Sequence, residues 1–347
     1  MENNQIKSID NLFKKTIESK QVQECILYIE DLNGDFTYEN SYGGKDVNRP
    51  FLMASITKLF TTTCILVLLE QNKLSLNDKI SNYLDDYILT GLHIYNGKEY
   101  SYELTISDLL FQISGLPNPY EEGKNSIRNF IISGDSYIGF EEYVEMVKKL
   151  KSHFAPGNTN KAYYADINFD LLGMIIENIT DLPLEEVYKK FIIEPLELKN
   201  TYLPVSEDVF IPDIYYKDKV ISRPKLVISS RASGGGVSSA HDLMIFIKAF
   251  FNGKLFDKDI FQRLSQYHKL QISMGPIYYG GGYMQIPLEG SATLFMGKGE
   301  LIGHSGSTGS FAFYYPYKDI YITGNINQAA NQALPIRFIM KLAMLLK

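Results

Sequence analysis

Ser55 and Lys58 stand at the start of an apolar stretch, PFLMASITKLFTTTCILVLLEQNKL, which occupies residues 50–74. We expect Ser55 to be an N-cap or first-turn residue of a helix that continues to about Asn72. Residues three positions apart share a helix face, so the Lys58 amine can reach the Ser55 hydroxyl. Apolar neighbours would remove water from that amine and favour its neutral form. The pair therefore predicts a serine nucleophile activated by a lysine base.

The same pattern also has a non-catalytic interpretation, in which the serine caps a helix and the lysine extends its amine to solvent. The spacing S-x-x-K occurs a second time, as SRPK at residues 222–225. Pro224 biases Arg223 toward an extended conformation, so Ser222 and Lys225 are not expected to share a helical turn. Only the first copy has the helical context that the chemistry requires.

Two further segments carry residue types that would complete such a site. Tyr164 and Asp166, in AYYAD, precede a predicted helix, and a tyrosine hydroxyl near a serine and a lysine can move protons during acyl transfer. Tyr163 is the alternative to Tyr164, and either tyrosine could instead be a packing residue. The segment GHSGS, residues 303–307, is expected at the start of a strand, where small residues let a substrate backbone lie against a sheet edge.

Together, S-x-x-K, Y-A-D and H-S-G resemble the three signatures of the serine β-lactamase and penicillin-binding protein superfamily. The closer similarity is to the branch of class C β-lactamases, D-alanyl-D-alanine carboxypeptidases, D-aminopeptidases and esterases, where these signatures read Y-x-N and often H-x-G. The segments TISDLLFQISGLP, PLEL, SGGGVSSAHDLMIF and YYGGGY follow in the expected order. The resemblance implies a serine hydrolase that cleaves an amide or ester of a small molecule or short D-amino-acid peptide through an acyl-enzyme, without a metal or organic cofactor.

The resemblance also implies a role for each catalytic residue. Ser55 would be the acylated nucleophile and Lys58 its activating base. Tyr164 would relay a proton to the leaving group and later activate the water that releases the acyl group. The backbone N–H groups of Ser55 and Ser307 would form the oxyanion hole.

The resemblance implies that a second set of residues contacts the substrate. Ser305 and Gly306 would lie along it, and His304 would stand beside the substrate carboxylate, where many relatives have lysine. Asp166 replaces the asparagine of Y-x-N, so a group that only accepts hydrogen bonds takes the place of an amide. An ionised Asp166 would repel an anionic substrate, and if it paired with Lys58 it would hold the lysine protonated.

Other sites are disfavoured by details of the sequence. GHSGS resembles the nucleophile elbow of α/β-hydrolases, but Ser307 stands where glycine is needed and the segment leads into a strand. The glycines at 234–236 are not followed by the lysine of a phosphate-binding loop. Cys25, Cys64 and the five histidines lack metal-site spacing, and the cysteines are expected to be buried thiols. The alternative function is a non-catalytic or very slowly deacylating penicillin-binding or sensor protein with the same fold.

The two ends of the chain predict one antiparallel sheet. A helix over residues 5–20 precedes two β-rich runs joined at Asn33-Gly34, and GSFAFYYP and IYITGNIN precede a C-terminal helix in residues 333–347. Short helical segments between glycine- and proline-containing loops occupy the middle of the chain. We therefore expect an α/β (α+β) fold with a discontinuous sheet domain, residues 1–75 and 225–347, a helical domain, residues 76–224, and the active site between them.

Composition limits the class of partner. The net charge is −6, the pI is about 5.5 and no long basic run occurs, which argues against nucleic acid or an anionic membrane surface as a partner. A small-molecule or short-peptide substrate fits, and partner proteins are not predicted. The polar N-terminal stretch lacks the apolar segment of a signal peptide, so we expect a cytoplasmic protein, or an extracytoplasmic one if the native chain extends further.

Overall fold

The computed structural model describes residues 3–124, 126–157, 161–290 and 293–346. The strands are β1 (Cys25–Asp31), β2 (Thr37–Tyr42), β3 (Phe51–Leu52), β4 (Ile94–Tyr95), β5 (Lys98–Glu99), β6 (Ile214–Tyr216), β7 (Lys219–Ile221), β8 (Val237–Ser238), β9 (His268–Lys269), β10 (Tyr278–Tyr279), β11 (Met284–Pro287), β12 (Glu300–Ser305), β13 (Ser310–Tyr315) and β14 (Ile320–Asn325).

The helices are α1 (Asn3–Ile17), α2 (Thr57–Glu70), α3 (Asp86–Leu89), α4 (Ile106–Leu110), α5 (Ile127–Ile131), α6 (Phe140–Lys148), α7 (Ile167–Thr180), α8 (Leu184–Tyr188), α9 (Pro224–Ser229), α10 (Arg231–Gly234), α11 (Ala240–Phe251), α12 (Phe261–Leu264) and α13 (Ala333–Leu345). The predicted C-terminal helix is thus confirmed as far as Leu345, and Lys347 lies outside the described residues. None of the helices in the described ranges has both the length and the apolar character needed to cross a membrane.

Eight strands form an antiparallel sheet in the order β2-β1-β14-β13-β12-β11-β10-β9. The predicted hairpin of β1 and β2 and that of β13 and β14 are both present. Strand β1 pairs with β14, with Leu27 opposite Gly324, so the two ends of the chain share one sheet as predicted. The first five residues of β1 are all buried. Because alternate side chains point to opposite faces, both faces of this part of the sheet are covered, one of them by α11.

The helices cover the sheet and carry the middle of the chain. Helix α11 packs on β1, β13 and β14, while α13 packs on β12 and β13 and also contacts α1. Cys25 and Cys64 are both buried free thiols, as predicted. Every strand of the large sheet lies before residue 43 or after residue 267, so the chain between them adds no strand to it. The division at residues 75 and 225 into two domains stays a prediction.

Candidate active site

A 3₁₀ turn, Ala54–Ile56, carries Ser55 immediately before α2. The sequence predicted Ser55 as a cap or first-turn residue, but it precedes the helix and no side chain caps α2, so its hydroxyl is not used for capping. Ala54 has φ of 46°, a left-handed conformation that is strained for a residue with a Cβ. Ser310 Oγ donates to the carbonyl of Met53 at 2.7 Å and helps to hold this turn against β13.

Lys58 is fully buried in the first turn of α2. Its Nζ donates to Asp166 Oδ1 and to the carbonyl oxygen of Ser233, both at 2.6 Å, and to Ser55 Oγ at 3.3 Å. The ammonium also lies 5.0 Å from the centre of the Tyr164 ring. The predicted approach of lysine to serine is therefore present, but a carboxylate and a backbone carbonyl share the same amine.

Tyr164 lies in the loop before α7, and its side chain is buried against the site. Its hydroxyl faces Ser55 but completes no hydrogen bond within the described residues. Burial raises the pKa of Tyr164 well above its usual value, and the charge of Asp166 raises it further. Tyr164 is therefore a neutral phenol at physiological pH. Tyr163 instead stacks on His153, with ring centres 3.6 Å apart.

His304 lies near the end of β12, where the sequence analysis expected the start of a strand. Its Nδ1 is 2.8 Å from the carbonyl oxygen of Ser305, which can only accept, so we assign the ring proton to Nδ1. Nε2 then accepts a hydrogen bond from the Tyr279 hydroxyl at 3.2 Å. Both ring nitrogens are thus occupied by protein groups.

The environment of His304 keeps it uncharged. Burial, and secondly the positive charge of Lys58, lowers the pKa of His304 to about 3. The side chain is fully buried and does not form part of the cavity wall described below. In this structure the neutral ring lies behind Tyr164 and supports the site from outside the cavity wall, and the expected place of His304 beside a substrate carboxylate stays a prediction.

The turn after β12 brings small residues close to the serine. At Gly306, a Cβ would lie 2.2 Å from Ser310 Oγ and 2.4 Å from the carbonyl oxygen of Met53, so only glycine allows this approach. Ser307 follows at the cavity and interacts with the hydroxyl of Tyr120. The predicted H-S-G segment is thus placed beside the turn that carries the proposed nucleophile.

A cavity of about 780 Å³ opens above these groups, a size that suits a small molecule or a short peptide. Of the predicted site residues, its wall includes Ser55, Tyr164, Asp166, Ser305, Gly306 and Ser307. The wall therefore draws on both of the predicted domains. Among the described residues, no three His, Cys, Asp or Glu side chains are grouped so as to hold a metal ion.

The structure adds residues that the sequence analysis did not name. Asp170 lies on the cavity wall, one helical turn after Asp166, and that spacing of four was the signal available in the sequence. Ser233 contributes only its backbone carbonyl to Lys58, so its residue type carried no such signal. Tyr279 binds His304 from β10, which β11 separates from β12 in the sheet and which lies 25 positions earlier in the sequence.

Comparison with known proteins finds many relatives of this chain, both among curated sequences and among solved structures. The profile of the β-lactamase family matches residues 32–338. A protein of Salmonella agona (strain SL483), named provisionally as a D-alanyl-D-alanine carboxypeptidase, is 26% identical over 366 aligned positions, which cover 91% of this chain and 82% of the relative.

Two solved structures show the same fold over almost the whole chain. The D-stereospecific amidohydrolase from Streptomyces sp. has a TM-score of 0.75 at 21% identity, covering 92% of this chain and 94% of its own. The D-amino acid amidase from Ochrobactrum anthropi SV3 has a TM-score of 0.77 at 18% identity, covering 98% of both chains.

Proposed function

The chain belongs to the β-lactamase family of serine hydrolases, and we propose that it cleaves an amide or ester bond through an acyl-enzyme on Ser55. The observation that carries the proposal is the contact of Ser55 Oγ with Lys58 Nζ at 3.3 Å, on the wall of a substrate-sized cavity. A serine hydroxyl becomes a strong nucleophile only when a neighbouring base takes its proton. Lys58 is the basic group in contact with that hydroxyl.

Asp166 supplies a way for Lys58 to become a base. The ammonium must lose a proton before it can accept one, and Asp166 Oδ1 at 2.6 Å is an adjacent acceptor. In the proposed step, a proton moves from Lys58 to Asp166, and the neutral amine takes the Ser55 proton as Oγ bonds to the substrate carbonyl carbon. The carbonyl electron pair moves to oxygen, where the N–H groups of Ser55 and Ser307 would stabilise the oxyanion.

Tyr164 is suited to donate a proton at the next step. Because its pKa is raised well above the usual value, it holds a proton at neutral pH and faces the serine whose acyl bond is forming. Tyr164 would protonate the leaving group as the carbon–leaving-group bond breaks, and recover a proton from the Lys58 ammonium. Neutral Lys58, rather than a phenolate, would then accept the proton of the water that attacks the acyl group and pass it to Ser55 Oγ as the acyl bond breaks. Asp166 would finally return its proton to Lys58, which restores the starting state.

The names of the relatives indicate which substrates to try first. They act on, or are named for, D-alanyl-D-alanine peptides and D-amino acid amides. We propose that the substrate is a small molecule or short peptide with an amide or ester next to an amino-acid-like unit, D-configured compounds included. The cavity volume of about 780 Å³ accommodates such a compound with room for a side chain.

Intact-mass spectrometry tests the proposal. Wild type, Ser55→Ala and Ser222→Ala are incubated with a fluorescent penicillin and, separately, with p-nitrophenyl acetate. Ser222 belongs to the second S-x-x-K and is exposed, so its variant is the matched control. We expect an adduct or ester turnover in wild type and Ser222→Ala and its loss in Ser55→Ala. Equal labelling of Ser55→Ala and wild type, or no reaction with either reagent, would contradict the proposal.

A further inference from the structure

Asp170 is connected to Lys58 through one residue. The backbone N–H of Ser233 donates to Asp170 Oδ1 at 3.2 Å, and the carbonyl of the same Ser233 accepts from Lys58 Nζ at 2.6 Å. Asp170 also lies in the first turn of α7, four residues after Asp166, which is the N-cap residue of that helix, so both carboxyl groups are on the same helix face. Two carboxyl groups therefore hold the lysine that contacts Ser55. Asp166 binds it directly, and Asp170 acts through the peptide backbone of Ser233.

We propose that Asp170 is a positioning residue for Lys58 that acts through Ser233, and that the protonated form of Asp170 is the one that supports acylation of Ser55. This inference rests on the proposed function, because it concerns the same nucleophile. A residue on the cavity wall can simply line the space, whereas Asp170, as proposed, acts on the lysine that contacts the nucleophile.

The charges around Asp170 favour its protonated form. Asp166, the N-cap residue of the same helix, repels a second negative charge, and Lys58 on α2 is one cation for two carboxyl groups. Tyr143 on α6 and Tyr188 on α8 also interact with Asp170, and both are uncharged phenols.

A second cation stands near this cluster but already has a counter-ion. Arg231, on α10, interacts with Tyr188 and forms an ion pair with Glu177. Burial, followed by the charge of Asp166, raises the pKa of Asp170 to about 7. The protonated side chain keeps an oxygen that accepts the Ser233 N–H, so positioning survives without the extra charge.

Ionisation of Asp170 would work against the reaction. Acylation places a negative charge on the substrate oxygen beside Ser55, and a nearby carboxylate raises the energy of that charge. At an effective dielectric constant of about 20 and a separation of several ångströms, one added charge changes a rate by about tenfold or more. The acylation rate should therefore fall as the pH rises through about 7.

The test measures the burst rate of p-nitrophenol release from p-nitrophenyl acetate between pH 5 and pH 9, after subtraction of the Ser55→Ala rate. Wild type, Asp170→Asn and Asp170→Ala are compared with Asp108→Asn. Asp108 is also a buried carboxyl group with a raised pKa, but it caps α4 and does not line the cavity. Its variant controls for the loss of a buried carboxyl group.

We expect the burst rate of wild type and of Asp108→Asn to fall about tenfold on the alkaline side of pH 7. Asp170→Asn keeps the acceptor for Ser233 and lacks the charge, so the decline should disappear. Asp170→Ala loses the acceptor as well as the charge, so its rate should lie below that of Asp170→Asn at every pH and below that of wild type at pH 6. An unchanged alkaline decline in Asp170→Asn, or equal rates for Asp170→Ala and wild type at pH 6, would overturn the inference.

Thermal unfolding provides a readout that does not depend on turnover. In the folded protein the pKa of Asp170 is about 7, above its ordinary value of 3.8. The free energy of unfolding of wild type therefore falls as the pH rises from 3.8 to about 7. Asp170→Asn should therefore gain Tm relative to wild type at pH 8 and not at pH 4. A Tm difference that is the same at both pH values contradicts the inference.

The Ser55 and Asp170 variants distinguish the two proposals. If Ser55→Ala is as active as wild type, the proposed function fails. If only the results for the Asp170 variants differ from expectation, the proposed function stands and the inference about Asp170 fails.

Discussion

Lys58 Nζ lies 2.6 Å from Asp166 Oδ1 but 3.3 Å from Ser55 Oγ, so the lysine is held more closely by a carboxylate than by the serine it would activate. Asp166 occupies the asparagine position of the Y-x-N signature that the sequence analysis compared. Its side chain is 17% exposed while that of Lys58 is fully buried. The ion pair therefore connects the interior of the site with its cavity.

Replacing Lys58 by methionine should affect catalysis and stability by separate routes. Loss of the base is expected to lower kcat/KM by about 10³-fold. The partly buried Asp166 carboxylate would lose its cation, at a cost of about 2 kcal/mol in the free energy of unfolding, because water in the cavity compensates part of the loss. Adding Asp166→Asn should restore most of that stability and none of the activity, as measured by urea denaturation and ester turnover. A double variant no more stable than Lys58→Met would contradict the ion-pair explanation.

Asp166→Asn alone should change which substrates are preferred. A carboxylate on the cavity wall repels an anionic acyl group, and the amide does not. We expect the ratio of kcat/KM for p-nitrophenyl succinate over p-nitrophenyl butyrate to rise about tenfold in the variant. The two esters differ mainly in one charge, so each serves as the control for the other. A constant ratio would show that Asp166 does not influence substrate charge.

Tyr164→Phe should separate catalysis from folding. The Tyr164 hydroxyl is buried without a completed hydrogen bond, so its removal should cost less than about 1 kcal/mol in the free energy of unfolding. Loss of the proton donor should lower kcat by about 100-fold with little change in KM. Tyr163→Phe is the comparison, because that hydroxyl binds Glu122 and its loss should mainly reduce stability. If both variants lose kcat equally, Tyr164 has no special role.

Gly306→Ala should damage the site by steric contact. The new Cβ would meet Ser310 Oγ at 2.2 Å and the carbonyl of Met53 at 2.4 Å, so the turn that carries Ser55 must move. Overpacking of this kind typically costs about 1 to 3 kcal/mol, and we expect turnover to fall by at least about tenfold. Gly134→Ala is the control, since no atom lies within 4 Å of its added Cβ. Wild-type activity in Gly306→Ala would show that the turn tolerates displacement.

His304→Gln tests the buried neutral imidazole. The unfolded chain takes up a proton below about pH 6.5, whereas folded His304 stays neutral down to about pH 3, so wild type loses stability as the pH falls between these values. The loss should reach about 2 to 3 kcal/mol at pH 4.5. Glutamine does not titrate there, so the advantage of wild type should shrink from pH 7.5 to pH 4.5 in thermal unfolding. A constant difference would mean that the histidine is not buried as a neutral group.

Local patterns were sufficient for much of the fold. Period-two runs and a turn at Asn33-Gly34 predicted the β1–β2 hairpin, and helical periodicity predicted α1 and α13, because these elements depend on residues close together in the chain. The same kind of pattern predicted Ser55 at the start of the helix, whereas it lies in the preceding 3₁₀ turn. The turn contains Ala54 with a left-handed φ, and the carbonyl of the preceding Met53 accepts a hydrogen bond from Ser310 on β13, which is distant in sequence.

The sequence by itself determined which groups were available for chemistry: the serine and lysine three apart, the tyrosine before a helix, and the small residues around His304. Only the tertiary structure decided how those groups act, because protonation depends on burial and on charges that are distant in sequence. It paired Lys58 with Asp166, 108 positions away, and buried His304 outside the cavity wall. It also connected Asp170 to the lysine through a backbone carbonyl, a contact that no residue type encodes.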